Sequence, residues 1–254
     1  MPATPRPRTP EWPPRSAPRL FVAAPLSLGA QVTIDGPQAH YLARVMRVGV
    51  GDAVVLCDDV TGEWAARVVD AGKRDVVLEV AQQLRPREEV PDFWLCPALL
   101  KKDRFDLVLE KASELGAARL VPVLTRRCVA DKLNADRART IMVEAAEQCA
   151  RTALPQLGEV TKLETLLRDW PDGRVLFFAD EQGGEPAAAA FAAHAGPAAL
   201  LTGPEGGFDE TERAAIRALP QARAITLGPR ILRGETAAIA GTALWMGTMG
   251  DWSA

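Results

Sequence analysis

Between residues 19 and 86 the apolar positions come in short runs, 20–22, 32–34, 53–57, 64–69 and 76–80. They are separated by the turn pairs Asp35-Gly36, Gly51-Asp52, Thr61-Gly62 and Ala71-Gly72. Short apolar runs bounded in this way predict β-strands, and several in close succession suit a small barrel. One stretch departs from the pattern. Residues 37–47 open on Pro37, a residue that a first helical turn tolerates, and place His40, Arg44 and Arg47 at i, i+4 and i+7. Leu42, Val45 and Met46 fall elsewhere on that helical wheel, so one face is basic and another apolar.

From residue 87 onward strands and helices alternate. Strand-like runs occupy 93–99, 120–124, Val175–Ala179, Ala198–Thr202 and 224–227. Helical spacing appears over 102–115, with Phe105, Val108, Leu109, Ala112 and Leu115 on one face and Gly116 as its stop. A second helix, capped by Asn134, runs to about residue 151 with Ala138, Ile141, Met142, Ala145 and Cys149 as its core stripe. Asp209, followed three residues later by Glu212, opens a third over 209–219 with a capping-box signature, and the last spans 235–249. Such alternation implies an α/β fold with a parallel sheet covered on both faces.

Composition changes this picture in three places. Residues 1–18 hold seven prolines and several arginines, which predicts a disordered tail ahead of a domain at 19–86 and another at 87–254. The formal net charge of -3 over 254 residues confines any nucleic-acid contact to local basic patches. Cys57, Cys96, Cys128 and Cys149 show no C-x-x-C spacing and His40 and His194 lie far from them, so no metal site is expected. Neither a membrane-length apolar run nor a signal-peptide pattern is present, which predicts a cytoplasmic protein.

In open α/β sheets ligands sit beyond the carboxyl ends of the strands. Two loops follow strands directly: Gly203-Pro204-Glu205-Gly206-Gly207-Phe208-Asp209, and Gly228-Pro229-Arg230-Ile231-Leu232-Arg233-Gly234-Glu235-Thr236-Ala237. Their glycines permit close backbone approach to a ligand. Their spacing is neither the G-x-G-x-x-G of a dinucleotide site nor the G-x-x-x-x-G-K-[ST] of a phosphate-binding loop. Each alone is compatible with an ordinary strand-to-helix turn; the pair in this order is far more specific.

The pair L-T-G-P-E-G-G-F and L-G-P-R-I-L-R-G-E-T-A resembles the cofactor signature of SPOUT-class methyltransferases, in particular the RsmE family, which methylates N3 of a uridine in small-subunit (16S) ribosomal RNA. The stretch from His40 to Arg47 followed by Gly51-Asp52 is similar to that family's PUA-like RNA-binding domain, and Lys111-Ala112-Ser113-Glu114-Leu115-Gly116 and Glu147-Gln148-Cys149-Ala150-Arg151 also match. Gly234 stands where the family usually has threonine, and Cys149-Ala150 replaces its usual small polar pair. The resemblance implies a PUA-like β-barrel, then a SPOUT-type parallel sheet with a C-terminal trefoil knot, and a homodimer with its active site near the subunit interface.

It also implies S-adenosylmethionine as cofactor, cradled by Leu201, Thr202, Gly203, Pro204, Glu205, Gly206 and Gly207 and by Leu227, Gly228, Ile231, Leu232, Arg233, Thr236 and Ala237. Uridine N3 must lose a proton before it attacks, so a base or an anion-stabilising group is needed. Glu205, Glu235 and Arg233 are the candidates, with a structural role for Glu235 equally open. RNA contacts are expected from Arg19, His40, Arg44, Arg47, Lys101, Lys102, Arg104, Arg126, Gln148 and Arg151, on small ribosomal subunits or their RNA. The rivals are a non-catalytic RNA-binding assembly protein, a SPOUT enzyme acting on another RNA, and a dehydrogenase, the last lacking its fingerprint.

Overall fold

The computed structural model describes residues 12–72 and 74–253. The chain divides into two compact units between Glu88 and Glu89. In the first, β1 (Arg19–Phe21), β2 (Gln31–Ile34), β3 (Ala53–Asp58), β4 (Gly62–Ala71) and β5 (Val76–Arg85) form one sheet in the order β1-β3-β4-β5-β2. β1 runs parallel to β3 and the other pairings are antiparallel. Leu20, Val54, Leu56, Val68 and Leu78 close its core.

Two expectations change here. The predicted tail reaches only part of its length: residues 1–11 lie outside the described residues, while Pro18 is buried and its carbonyl accepts from Val55 N at 2.8 Å. The Arg67 guanidinium lies 4.9 Å from the Trp12 ring centroid. The predicted helix over 37–47 is α1 (Gly36–His40) followed by a π-helical turn, Tyr41–Met46, that ends at Arg47 in the left-handed region with φ 56°. Bonds from i to i+5 widen the turn, so the seven-residue register of His40, Arg44 and Arg47 is lost.

Buried polar groups also tie this unit together. Buried Asp58 accepts from the backbone of Leu26 and Val60 and from Thr61, and buried Glu63 accepts from Arg19 at 2.7 Å and Arg85 at 2.8 Å. Burial alone would push both carboxyls up, but these hydrogen bonds outweigh it and hold both below their ordinary values. The unfolded chain therefore takes up protons first. Their stabilisation is whole above the ordinary Glu value of 4.5 and is lost as pH falls through the depressed ones. Urea midpoints are expected to fall steeply between pH 5 and pH 3, and Glu63→Gln is expected to flatten that slope; an unchanged slope would refute the assignment.

The second unit carries a seven-stranded, wholly parallel sheet in the order β12-β14-β11-β13-β6-β7-β9. Its elements are β6 (Phe93–Pro97), α2 (Lys102–Glu114), β7 (Arg119–Leu120), β8 (Val123–Leu124), α3 (Ala135–Cys149), β9 (Gln156–Leu157), β10 (Thr161–Lys162) and α4 (Leu163–Arg168). They continue with β11 (Val175–Ala179), β12 (Glu185–Pro186), α5 (Ala187–Ala192), β13 (Ala198–Thr202), α6 (Glu210–Ala218), β14 (Ala222–Thr226) and α7 (Gly234–Thr248). The run predicted as one strand over 120–124 is two: Pro122 has no N–H to continue the ladder, and β8 pairs instead with β10.

Alternate strand residues feed two cores. Phe93, Leu95, Phe177 and Leu200 pack with α2, α3, α5 and α7, while Cys96, Leu176, Phe178, Ala199 and Leu201 pack with α4 and α6. This is why the strands read as continuous apolar runs. Gly241 lets α7 settle on β13, because a Cβ there would stand 2.5 Å from Leu200 Cδ2. No helix among the described residues is long and apolar enough to cross a membrane.

Candidate active site

At the carboxyl ends of β11, β13 and β14 the chain leaves a cavity of about 280 Å³. Both glycine-containing loops form its walls. Of the residues expected there, Gly203, Pro204, Glu205, Gly206 and Gly207 line it from one side, and Leu227, Gly228, Ile231, Leu232 and Ala237 from the other. The first loop turns back on a hydrogen bond from Gly207 N to Pro204 O of 2.9 Å, with Gly207 at φ +66°. Buried Phe208 supports it from below: a Cβ on Gly203 would lie 3.3 Å from that ring.

Four expected residues lie elsewhere. Leu201 and Thr202 are buried within β13, where Leu201 belongs to the core and Thr202 O accepts from Ala98 N. Arg233 is the exposed N-cap of α7, and Thr236 is exposed on its first turn. Within β13 the side chains turn to the sheet faces, which takes Leu201 and Thr202 out of the cavity.

The three catalytic candidates differ in setting. Glu205 is exposed on the cavity wall, its Oε1 3.4 Å from Lys101 N. Glu235 is buried, with Oε1 accepting from Arg104 Nη1 at 2.7 Å and Oε2 without a partner. That ion pair engages Arg104, whose side chain stays one-third exposed.

Other cations are engaged too. Arg19 is committed to Glu63. Arg151, expected on RNA, is buried and donates to Ser113 O and Ala117 O, both at 2.7 Å, so it ties α2 to the end of α3. Arg126 is exposed but faces Asp209 at 3.1 Å and Glu164 at 3.5 Å. Lys101 and Lys102 at the start of α2, and Gln148 on α3, are exposed. In the first unit His40 and Arg44 border a shallow depression with Asp35 and Arg74, and Arg47 is exposed beyond them.

Three features were missed in the sequence. The α6 capping box forms, and its Glu212 also accepts from Arg126 N at 2.7 Å, which fixes the 125–133 loop beside the glycine loop. Arg127 thereby donates to Gly206 O at 2.8 Å. Asp180 and Glu181 line the cavity as well, directly after β11. The rule that ligand loops follow strands was available for this third loop, but with no glycine cluster to mark it, it passed unnoticed.

Comparison with known proteins accords with this geometry. Residues 87–246 match an RNA methyltransferase domain and residues 34–81 an RNA methyltransferase PUA domain. The chain is therefore an RNA methyltransferase of the class that joins these two domains. It is 32% identical over 221 residues to ribosomal RNA small subunit methyltransferase E of Mycobacterium tuberculosis, covering 83% of this chain and 84% of that one. The Rickettsia conorii enzyme of the same name is 26% identical, covering 87% of this chain and 91% of its own. The Neisseria gonorrhoeae enzyme, solved bound to S-adenosyl methionine, superposes with a TM-score of 0.83 at 26% identity over 93% of this chain and 99% of that one. A Legionella pneumophila methyltransferase in complex with its cofactor SAM gives 0.83 at 25% identity over 92% and 99%. The chain belongs to the RsmE family of ribosomal RNA small subunit methyltransferases.

Proposed function

We propose that this protein transfers the methyl group of S-adenosylmethionine to N3 of a uridine in small-subunit (16S) ribosomal RNA. The observation that carries this reading is the cavity walled by both glycine-containing loops at the carboxyl ends of three parallel strands. Its residues fit the cofactor: glycines bare the backbone, Leu227, Ile231 and Leu232 offer apolar surface for an adenine, and carboxylates stand on the walls. The cofactor supplies a methyl group activated on a sulfonium; the protein supplies geometry and proton handling.

Glu205, exposed on the wall, is the carboxylate placed to take the N3 proton. Glu235, paired with Arg104, acts by holding the start of α7 beneath that wall. Arg233 and Arg127 are the guanidiniums available for charge developing on the uracil oxygens. Residues 19–86 form the RNA-binding domain, through His40, Arg44 and Arg47, and 87–254 the catalytic domain, entered past Lys101 and Lys102. An extruded or unpaired uridine is the form such a cavity admits.

Three further elements belong to this reading. Residues 227–237 thread a trefoil knot, a reading supported by the return of α7 from β14, past β11, to pack on β13 and β6. The enzyme works as a homodimer in the cytoplasm, where its substrate is, and exposed Leu244 and Trp252 support a C-terminal interface.

Labelled methyl transfer to small subunits from a strain lacking the modification, followed by nucleoside analysis, tests the proposal. Recovery of 3-methyluridine is expected. A methylated ribose or another base would assign a different reaction, cofactor binding without transfer would point to another RNA, and no transfer without cofactor binding would favour the assembly-protein reading.

A further inference from the structure

At the β11 side of the cavity lies a charge cluster that the methyl-transfer chemistry does not use. Asp180 is fully buried, and both its oxygens are engaged, one by Arg213 and the other by Arg217 at 2.7 Å. Arg213, with a side chain only 5% exposed, uses its second terminal nitrogen on Glu181 Oε1 at 2.7 Å and on Phe208 O at 3.3 Å. One guanidinium thus joins the end of β11, the glycine loop and α6. Burying such charges is costly unless they are closely paired and hydrogen-bonded, as these are. What it achieves is the placement of one carboxylate. Glu181 lines the cavity with its side chain one-third exposed, pressed so closely on Gly207 that a Cβ there would stand 2.6 Å from Oε1.

We propose that Glu181 anchors the cofactor by accepting hydrogen bonds from its ribose hydroxyls, and that Arg213 is the residue that positions it. This rests on the methyltransferase reading above. Glu181 is the second residue past the end of β11, close to where acidic residues of nucleotide-binding sheets take ribose hydroxyls. Arg213 holds Glu181 Oε1 at 2.7 Å and shares Asp180 with Arg217, while exposed Glu210 stands 3.9 Å from Arg213 Nε at the solvent edge, so the charge of Glu181 is already paired before a ligand arrives. Neutral hydroxyl donors suit it, and the carboxylate oxygen turned away from Arg213 is the one to receive them. The methionine ammonium, a cation, would be better matched by a carboxylate without an arginine.

The test is calorimetric titration of the full chain with S-adenosylhomocysteine, with methylthioadenosine, which keeps the ribose but lacks the amino acid, and with methylthioadenosine stripped of both ribose hydroxyls. Glu181→Gln is expected to weaken the first two about tenfold each, the loss of a charge-assisted acceptor, and to leave the third unchanged relative to wild type. Arg213→Lys keeps the charge but loses the planar fork, and is expected to show the same dependence on the hydroxyls in smaller measure. A defect confined to S-adenosylhomocysteine would assign Glu181 to the ammonium, and an equal defect on all three would make it a brace for the glycine loop; either overturns the proposal. Failure of the wild-type protein to bind S-adenosylhomocysteine would overturn the methyltransferase reading and this proposal with it.

Discussion

Gly234→Thr, which restores the residue usual in the family, is expected to destabilise this protein by about 1–3 kcal/mol and to weaken cofactor binding at least tenfold. Gly234 opens α7 directly beneath the first cavity loop. A Cβ there would stand 2.8 Å from Gly203 O and 2.8 Å from Leu100 Cδ2. Leucine can rotate away, but the carbonyl belongs to the loop that walls the cavity, so relief comes from moving that loop. Gly234 also lines the cavity, so the substitution should reach the cofactor both directly and through that loop. Leu100→Val removes only the side-chain clash, and in that background the stability cost of Gly234→Thr should shrink while the affinity loss persists. Thermal unfolding and calorimetric titration with S-adenosylhomocysteine read the two effects separately. An unchanged melting temperature and affinity would show that the loop adapts without strain.

Arg151→Met is expected to cost about 2–5 kcal/mol, since Ala117 O loses its charged donor and Ser113 O keeps only a long bond of 3.4 Å from Gly116 N, at roughly 1–3 kcal/mol for each weakened carbonyl. At roughly 2–4 °C per kcal/mol for a chain of this size, the melting temperature should fall on the order of 10 °C. Arg151 reaches Ser113 O and Ala117 O on either side of Gly116, where α2 ends at φ +94°. The arginine thus closes the helix terminus from outside. Below its melting temperature the variant should bind RNA as wild type does, with an unchanged salt dependence. An arginine on phosphate would behave oppositely, with wild-type stability and a shallower salt slope.

These two residues illustrate where sequence reasoning succeeds and where it stops. The two glycine loops were legible because strand ends, glycines and helix caps are written locally: Asp209 and Glu212 form the expected capping box, and Asn134 accepts from Arg137 N at 3.0 Å. The boundaries of α2, α6 and α7 follow from apolar period and stop signals for the same reason. Proline at 122 was equally visible, yet only its consequence in three dimensions, the transfer of Val123 and Leu124 to a second small sheet with β10, showed that the run was two strands.

What the sequence by itself determined is the order of the elements, the alternation that makes a parallel sheet, and the chain segments that end at its carboxyl edge. Only the tertiary structure decided which charges face solvent. Arg19, Arg104 and Arg151 read as cations free for RNA, but Glu63, Glu235 and two backbone carbonyls, between 34 and 131 residues away, take them up. The same holds for Glu181, which becomes a cavity residue because Arg213 reaches it from 32 residues further along. Periodicity and capping arise between near neighbours in the chain, so they can be read from it directly. The pairing of charges arises between residues that only folding brings together.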